Sequence, residues 1–527
     1  MKKLFLTRQI VETDRFAIEE LKIPSIILME NAALNAYKAI IENLNKILRA
    51  KKTEFIVICG KGNNGGDGFA LSRHLATNNY LVKTIYISNE NLAHDSQINF
   101  NILNQLSKTL NNLSLHKYEN INQLESSAEI PIYIDAMLGS GAKLPLKAPY
   151  NSIVEKINSL KGFKIAIDIP TGLDSDNGWT DLAFKANLTI CLGSLKRGLF
   201  INQAREYCGK IIEGDIGIGN FYFDNLPSET FLIEKKDIKE LLPIKSKIIH
   251  KYSSGRTAII AGSKDYFGAA ILCVKACEKS GAGAITLFVP DSLRLFYQNA
   301  LPEIIVKGYP DNNEGYLISN SIDFLNHEIN EKYDSIAIGC GLGRKIETME
   351  AIDYLIKKFD NIPKVIDADA FYAIGKIGVK NFNLQNSILT PHLKEFSFLT
   401  NLHTQDILRN YFEIGFSFAN ENKTTLFLKG APSVIFSYNK KAYVFPNGNP
   451  GMAKFGTGDV LAGLMCGLLA QFKDINSCDK YEKCSIAAGY LHNLAGDLCS
   501  QKLSEFSCFS DKIIEYLPYA FKDISNS

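Results

Sequence analysis

The chain has 527 residues, 46% of them hydrophobic and 22% charged, which is material for about two to four ordinary globular domains. Its net charge of +2 gives no electrostatic footing for nucleic acid or an anionic membrane, so neither is expected as a partner and an anionic ligand must be held by local geometry. Eleven cysteines occur without a C-x-x-C pair. Cys273 and Cys277 sit four apart on a predicted helix with no nearby histidine, so they read as buried thiols rather than metal ligands. Reduced cysteines and a start, Met1–Leu6, that lacks a long apolar core suggest a cytoplasmic protein. The run Val460–Ala470 is far short of the roughly 20 residues of a membrane span.

The chain opens with helical spacing over Arg15–Glu20 and Met29–Ile47. Short apolar runs then alternate with helical segments. Strands are predicted at Phe55–Cys59, Val82–Ile87, Ile132–Ile134, Lys164–Ile167 and Leu188–Cys191. Each is followed closely by Gly, Asp or Pro, the pattern of a parallel sheet covered on both faces. The rhythm breaks around 220–230, where polar residues and Pro227 cluster. A second series follows at Thr257–Ala261, Ala284–Val289, Ser335–Ile338, Lys364–Ile366, Ser387–Leu389, Thr425–Leu428 and Ser433–Phe436. No repeat relates the halves. Two different α/β domains are expected, spanning 1–222 and 235–527, with 223–234 as linker.

In the first half, Phe55–Cys59 runs into Gly60, Gly62 and Gly65, a G-x-G-x-x-G loop entering a helix. Such a loop lets the backbone approach a phosphate at a helix N-terminus, although a tight strand-to-helix connection explains it as well. The acidic residue expected about 20 positions on is absent, since Glu90 stands 30 after Gly60, which disfavours an ordinary NAD dehydrogenase. Two later strands end at Asp135, leading to Gly139-Ser140-Gly141, and at Asp168, leading to Pro170-Thr171-Gly172. Strand carboxyl ends gather ligands, so the glycine loop and both aspartates should share one crevice, where the oxygens can hold a cation or move protons. Either aspartate alone could be a helix cap.

Leu28–Ala33, Gly62–Gly68, Asp135–Gly141, Asp168–Leu173 and Lys196–Leu199 together resemble the NAD(P)HX epimerase family, the YjeF N-terminal domain, with a Rossmann-like three-layer fold. The resemblance implies that Asn63, Asn64, Gly65, Gly66 and Asp67 line the NAD(P)HX site with Gly139, Ser140, Gly141, Ala142, Lys143, Leu144 and Pro145. It also implies a potassium ion held by Asn64, Asp135 and Thr171, and Asp168 as the acid–base residue at the hydrated carbon. Ala33 stands where the family usually has Gly, and Thr171 where it usually has Ser, a change that keeps the hydroxyl.

In the second half, Asn449–Gly463 reads as a loop entering a small, apolar, buried helix. Unpaired amides at that helix N-terminus suit an anion, and Gly456 and Gly458 let backbone approach a phosphoryl group. Asp459 stands where a base could take a proton from a substrate hydroxyl; a plain helix cap is the alternative. The string resembles ribokinase-like enzymes and, more closely, the NAD(P)HX dehydratase family. Gly262-Ser263, Gly339–Gly343, Asp367–Ala370, Leu389–His392 and Leu428–Pro432 agree. The resemblance implies ADP or ATP as phosphoryl donor with magnesium, bound by Lys429, Gly430, Ala431, Pro432 and Ser433 and by Asn449, Pro450, Gly451, Met452, Ala453, Lys454, Phe455, Gly456, Thr457 and Gly458. It places Gly343, His392 and Asp459 at the hydrate. Cys340 replaces a usual Pro, and Leu393-Lys394 a usual Pro-Gly.

The expected function is therefore nicotinamide-nucleotide repair. The first domain would interconvert R and S forms of NADHX and NADPHX, and the second would dehydrate the S form. The fused order resembles bacterial members, which tend to use ADP, and such folds commonly form homo-oligomers. A ribokinase-type small-molecule kinase with a fused nucleotide-binding module is the competing reading, which Asn449–Met452 and the epimerase-like half disfavour.

Overall fold

The computed structural model describes every residue except 244–247, 249, 331, 473–476 and 527. The chain divides into two compact units, Lys3–Thr230 and Phe231–Ser527, the second taking in Met1 and Lys2. The segment expected as linker, 223–234, carries the end of a short helix, Asn220–Asn225, and a short strand, Thr230–Leu232.

The first unit starts with helices α1 (Thr7–Glu19) and α2 (Ser25–Ala50), both longer than their spacing suggested. Its sheet holds β1 (Thr53–Cys59), β2 (Val82–Tyr86), β3 (Leu113–Lys117), β4 (Ile130–Ala136), β5 (Phe163–Ile167), β6 (Leu188–Leu192) and β7 (Lys210–Gly214). The order is β3-β2-β1-β4-β5-β6-β7, and every neighbouring pair is parallel. The chain leaves β1 toward one edge and returns to lay β4 on its other side. Loops after β1 and β4 thus diverge, which opens a crevice at their carboxyl ends. The central strands are continuous buried apolar runs, as a sheet covered on both faces requires. Strands β3 and β7 escaped the sequence reading because they are edge strands, where LSLHK and KIIEG keep one side polar.

Helix α3 (Asn63–Thr77) follows β1 directly. Gly60 and Gly65 are needed for close packing: a Cβ on Gly60 would lie 1.8 Å from the Met137 carbonyl oxygen, and one on Gly65 would lie 1.9 Å from that of Gly60. Gly62 faces open space.

The second unit orders its strands likewise. They are β8 (Arg256–Ile260), β9 (Ala284–Pro290), β10 (Ile305–Tyr309), β11 (Ser335–Ile338), β12 (Lys364–Ile366), β13 (Ser387–Leu389), β14 (Thr425–Leu428), β15 (Val434–Phe436) and β16 (Ala442–Val444). Among these strands the sheet order is β16-β15-β14-β13-β12-β11-β8-β9-β10. It is parallel from β14 to β10, with β15 and β16 added antiparallel. Here the reversal lies between β8 and β11. The loops after β11, β12, β13 and β14 carry Gly339–Gly343, Asp367–Asp369, Thr390–His392 and Lys429. Helices α4 (Phe267–Lys279), α5 (Leu393–Thr400), α6 (Thr457–Leu469) and α7 (Ser477–Leu503) complete the frame of the site. Helix α6 is buried from Val460 onward. It lies close against α4, where Gly463 leaves room for the backbone of Cys273.

Candidate active sites

In the first unit, Asp168 stands directly after β5 with φ 68, a left-handed conformation uncommon for a residue with a Cβ. Strain of this kind concentrates at functional positions. Its Oδ1 accepts from Lys196 Nζ at 2.6 Å and from the Leu192 amide at 3.4 Å, and its Oδ2 from the Ser140 amide at 3.4 Å. Lys196 is 1% exposed and also donates to the Leu192 carbonyl at 3.0 Å. Burial works to lower the lysine's pKa, but Asp168 and Cys191, by charge and hydrogen bond together, outweigh it and hold the ammonium above its ordinary value. The pair is fixed as an ion pair.

Asp135, the last residue but one of β4, is fully buried. Its Oδ1 accepts from Thr171 Oγ1 at 2.8 Å and from the Met137 amide at 3.1 Å, and its Oδ2 from the Thr171 amide at 2.7 Å. Burial pushes its carboxyl up to about 6 against these hydrogen bonds. Asn64 is buried one residue into α3, and neither its Oδ1 nor its Nδ2 has a hydrogen-bond partner. An orphaned buried amide calls for an explanation. An oxygen-liganded cation supplies one, since the Asn64 carbonyl, the Asp135 carboxylate and the Thr171 hydroxyl are the hard donors potassium takes. These residues fit the ion.

The other expected residues gather at the same end of the sheet. Gly139 lies between Asp168 and Asn64: a Cβ there would be 3.3 Å from Asp168 Oδ2 and 3.5 Å from the Asn64 Cβ. Asn63 is exposed, whereas Gly65, Gly66 and Asp67 are buried. Desolvation, reinforced by the charges of Asp168 and Asp14, raises the Asp67 carboxyl well above its usual range. Gly141, Lys143 and Pro145 are exposed along the loop after β4, with Ser140, Ala142 and Leu144 half-buried. The sequence reading assigned no role to Lys196 and none to Asp14 on α1. Asp14 could have been found as an acid one turn after Ile10, on the side of the helix that buries Ile10, Thr13 and Ala17.

In the second unit, Asp459 sits in the first turn of α6, after Gly456 at φ 90. Amides of this first turn have no partner within the helix and point at whatever lies before it. Lys429, after β14, places Nζ 2.7 Å from Asp367 Oδ1 and 4.0 Å from Glu395 Oε2. A Cβ on Gly458 would be 3.2 Å from that Nζ, so the lysine lies against the helix entrance. Burial opposes the Lys429 charge, yet Asp367 and Glu395 hold its pKa above the ordinary value. Burial and the neighbouring Asp367 push Asp459 up to about 6, while a hydrogen bond from Cys340 and the charge of Lys429 pull it down. A carboxyl so placed is suited to exchange a proton near neutrality.

His392 caps α5. Its Nδ1 accepts from the Glu395 amide at 3.1 Å, and Glu395 Oε2 accepts from the His392 amide at 2.8 Å. The replaced pair Leu393-Lys394 thus forms the first residues of α5. Burial raises Glu395 to about 7, against the pull of Lys429. The Gly343 amide donates to Asp369 Oδ2 at 2.9 Å, and Arg344 Nε to Oδ1 at 2.8 Å. Ala431-Pro432 is a cis peptide, and the Ser433 hydroxyl donates to the Gly430 carbonyl at 3.2 Å. Asn449 has both side-chain polar atoms occupied. Its Oδ1 accepts from the Gly451 amide at 3.0 Å, and its Nδ2 donates to Asp497 on α7 at 2.8 Å. Lys454 donates to the carbonyls of Glu505 and Phe506, and Phe455 is fully exposed.

Cys340, Asp367 and Asp459 bring their ligand atoms within 4.8 Å of one another. This set does not fit magnesium. A thiol is a poor donor for that ion, and Asp367 is already committed to Lys429. Every cysteine whose side chain is described is free and buried. Among the described residues, no helix is long and apolar enough to cross a membrane.

A family model described as NAD(P)H-hydrate dehydratase matches residues 257–519, and one described as YjeF-related protein N-terminus matches 25–198. A bifunctional NAD(P)H-hydrate repair enzyme from Dictyoglomus turgidum is 30% identical over 528 residues, covering 99% of each chain. One from Archaeoglobus fulgidus is 30% identical over 519 residues, covering 97% of each. A solved Bacillus subtilis ADP/ATP-dependent NAD(P)H-hydrate dehydratase, co-crystallised with ATP/Mg2+, aligns at 24% identity with a TM-score of 0.46, over 55% of this chain and 97% of that one. Full-length likeness to the first two, with both family models in the same order, decides the matter: the chain belongs to the family of bifunctional NAD(P)H-hydrate repair enzymes.

Proposed function

We propose that the two half-reactions of NAD(P)H-hydrate repair divide between the units, with Asp168 and Lys196 serving epimerisation and Asp459 serving dehydration. The observation that carries the reading is the placement of Asp459, a half-buried carboxyl raised to about 6 in the first turn of a helix whose entrance also meets Lys429.

The hydrate carries a hydroxyl, a poor leaving group. Asp459 takes its proton as the oxygen attacks the terminal phosphoryl of ADP or ATP. Amides of Gly456–Gly458 and the Lys429 ammonium face the charge that builds on the transferring group. The phosphorylated oxygen is then expelled by the ring nitrogen lone pair, and loss of the ring proton restores the dihydropyridine. Residues Lys429–Ser433 and Asn449–Gly458 form the nucleotide side, and Gly343, His392 and Asp459 the hydrate side. Magnesium would serve as the counter-ion of the nucleotide, since Cys340, Asp367 and Asp459 do not fit it as a protein-held site.

In the first unit Asp168, positioned by Lys196, accepts a proton at the hydrated carbon. Asn63–Asp67 and Gly139–Pro145 bind NADHX or NADPHX. Asn64, Asp135 and Thr171 would hold potassium, which would supply a fixed positive charge for an anionic substrate. The free, buried cysteines support a cytoplasmic enzyme.

The test uses mixed R and S hydrate with magnesium and ADP or ATP, reading NADH absorbance and, without nucleotide, the R/S ratio. Asp459→Asn should lower NADH recovery by about 100-fold or more, the usual weight of a general base, and leave R/S interconversion intact. Equal loss of both activities sinks the division of labour.

A further inference from the structure

The start of α1 is fastened to the loops that carry the Asp168–Lys196 pair. Phe5 bonds on both sides of Lys196: its amide donates to the Leu195 carbonyl at 2.9 Å, and its carbonyl accepts from the Arg197 amide at 2.9 Å. The Thr7 amide donates to Asp176 Oδ1 at 2.7 Å, and the Thr7 hydroxyl meets Ser175 Oγ at 2.5 Å. Asp14 lies two turns further along α1, about 10 Å at 1.5 Å per residue. Its Oδ1 is buried with no hydrogen-bond partner. The charges of Lys196 and Asp168 both act on it, and its own acts on Asp67. The charge of a third carboxyl is therefore felt at an ion pair that is already complete.

Epimerisation needs a proton given on one side of the hydrated carbon and taken on the other. Asp168, paired with Lys196 at 2.6 Å, can take one. Lys196 is held too firmly protonated to give one. Asp67 is buried on α3, whereas Asp14 is half-buried and the more open to solvent protons. We propose that Asp14 is a second acid–base group of the first unit, working opposite Asp168 on the hydroxyl of the hydrated carbon; this rests on the reading of that unit as the epimerase. The carboxylic acid of Asp14 protonates the hydroxyl, the C–O bond breaks with its electron pair on oxygen, and water leaves. The ring nitrogen lone pair forms the C=N bond. Water adds to the opposite face, C=N electrons return to nitrogen, and Asp168 takes the proton. Solvent reprotonates Asp14 and collects the proton from Asp168, and the reverse direction exchanges the two roles.

The experiment follows the R/S ratio of NADHX by chromatography in the full chain, with potassium and without nucleotide. Asp14→Asn should slow interconversion by about 100-fold or more, with KM within threefold, melting temperature unchanged and dehydration of the S form unaffected. Asp14→Glu should restore at least a tenth of the rate. The charged and titratable groups facing Asp14 are Lys196, Asp168 and Asp67, with Cys191 behind Lys196. With Asp14 as the acid, the wild-type R-to-S rate falls as pH rises through about 6, and the residual rate of Asp14→Asn lacks that limb. The inference is overturned by an Asp14→Asn rate within fivefold of wild type, or by equal losses in both variants with a lowered melting temperature. Failure of the wild type itself to interconvert the forms defeats the epimerase reading instead.

Discussion

Lys196→Met offers a quantitative test of the first site. In the folded unit the ammonium is sealed from solvent and binds Asp168 at 2.6 Å, with the Leu192 carbonyl at 3.0 Å. Methionine fills similar space and removes the charge. Asp168, whose side chain is 14% exposed, then keeps only two amides at 3.4 Å. Stranding one member of a buried pair costs about 3–5 kcal/mol. A stranded carboxylate escapes by taking up a proton, which from an ordinary aspartate value near 3.9 costs about 4 kcal/mol at pH 7, so the loss is capped near that figure. At roughly 2–4 °C per kcal/mol for a unit of this size, the first unit should melt about 8–16 °C lower. The sign with pH follows from the pair. Lys196 is raised in the folded state, so its stabilisation is fully present below the ordinary lysine value and lost only as pH climbs through the folded one. Across neutral pH the wild type therefore keeps it. The deficit of the variant shrinks by about 1.4 kcal/mol per unit as pH falls, because the escape proton comes more cheaply. Calorimetry of the full chain at pH 7 and pH 5 reads both effects. A shift under 3 °C at pH 7, or equal shifts at the two pH values, refutes the reasoning.

Three further outcomes follow from the geometry. Asp459 acts as a base, so the dehydration rate should fall about tenfold per unit below pH 6, and an acid limb absent between pH 5 and 7 would exclude it. Cys340→Ala removes a hydrogen bond that favours the ionised Asp459, so that limb should move to higher pH; a limb that stays put or moves down contradicts the contact. Asn64→Ala should raise the potassium concentration for half-maximal R/S interconversion by about tenfold or more, as loss of one hard donor requires, and an unchanged potassium titration removes Asn64 from the site.

The strand series and the ends that carry chemistry were legible because buried parallel strands are continuous apolar runs, and Asp135, Asp168 and Asp459 each sit one step beyond such a run or a glycine pair. Edge strands such as Leu113–Lys117 were not legible, since one exposed side erases the apolar signal. The glycine loop looked like a phosphate cradle from its spacing. In the fold Gly60 and Gly65 serve backbone packing and only Gly62 is open, a distinction that depends on Met137, which spacing alone does not reveal. Partners across the sheet were the larger omission. That Lys196 holds Asp168, or that Lys429 holds Asp367, depends on neighbouring strand ends meeting in space. His392 shows the opposite case: its motif was visible, but its cap on Glu395 emerges only with the helix it begins.

The burial of Lys196 also bears on chemical damage. Acylation and carbamylation need a neutral amine that a reagent can reach, and this one is both held protonated and sealed within the fold. Reactive acyl donors that decorate surface lysines should therefore pass it by. A label found on Lys196 marks a molecule whose first unit has opened, which makes this lysine a built-in reporter of local unfolding.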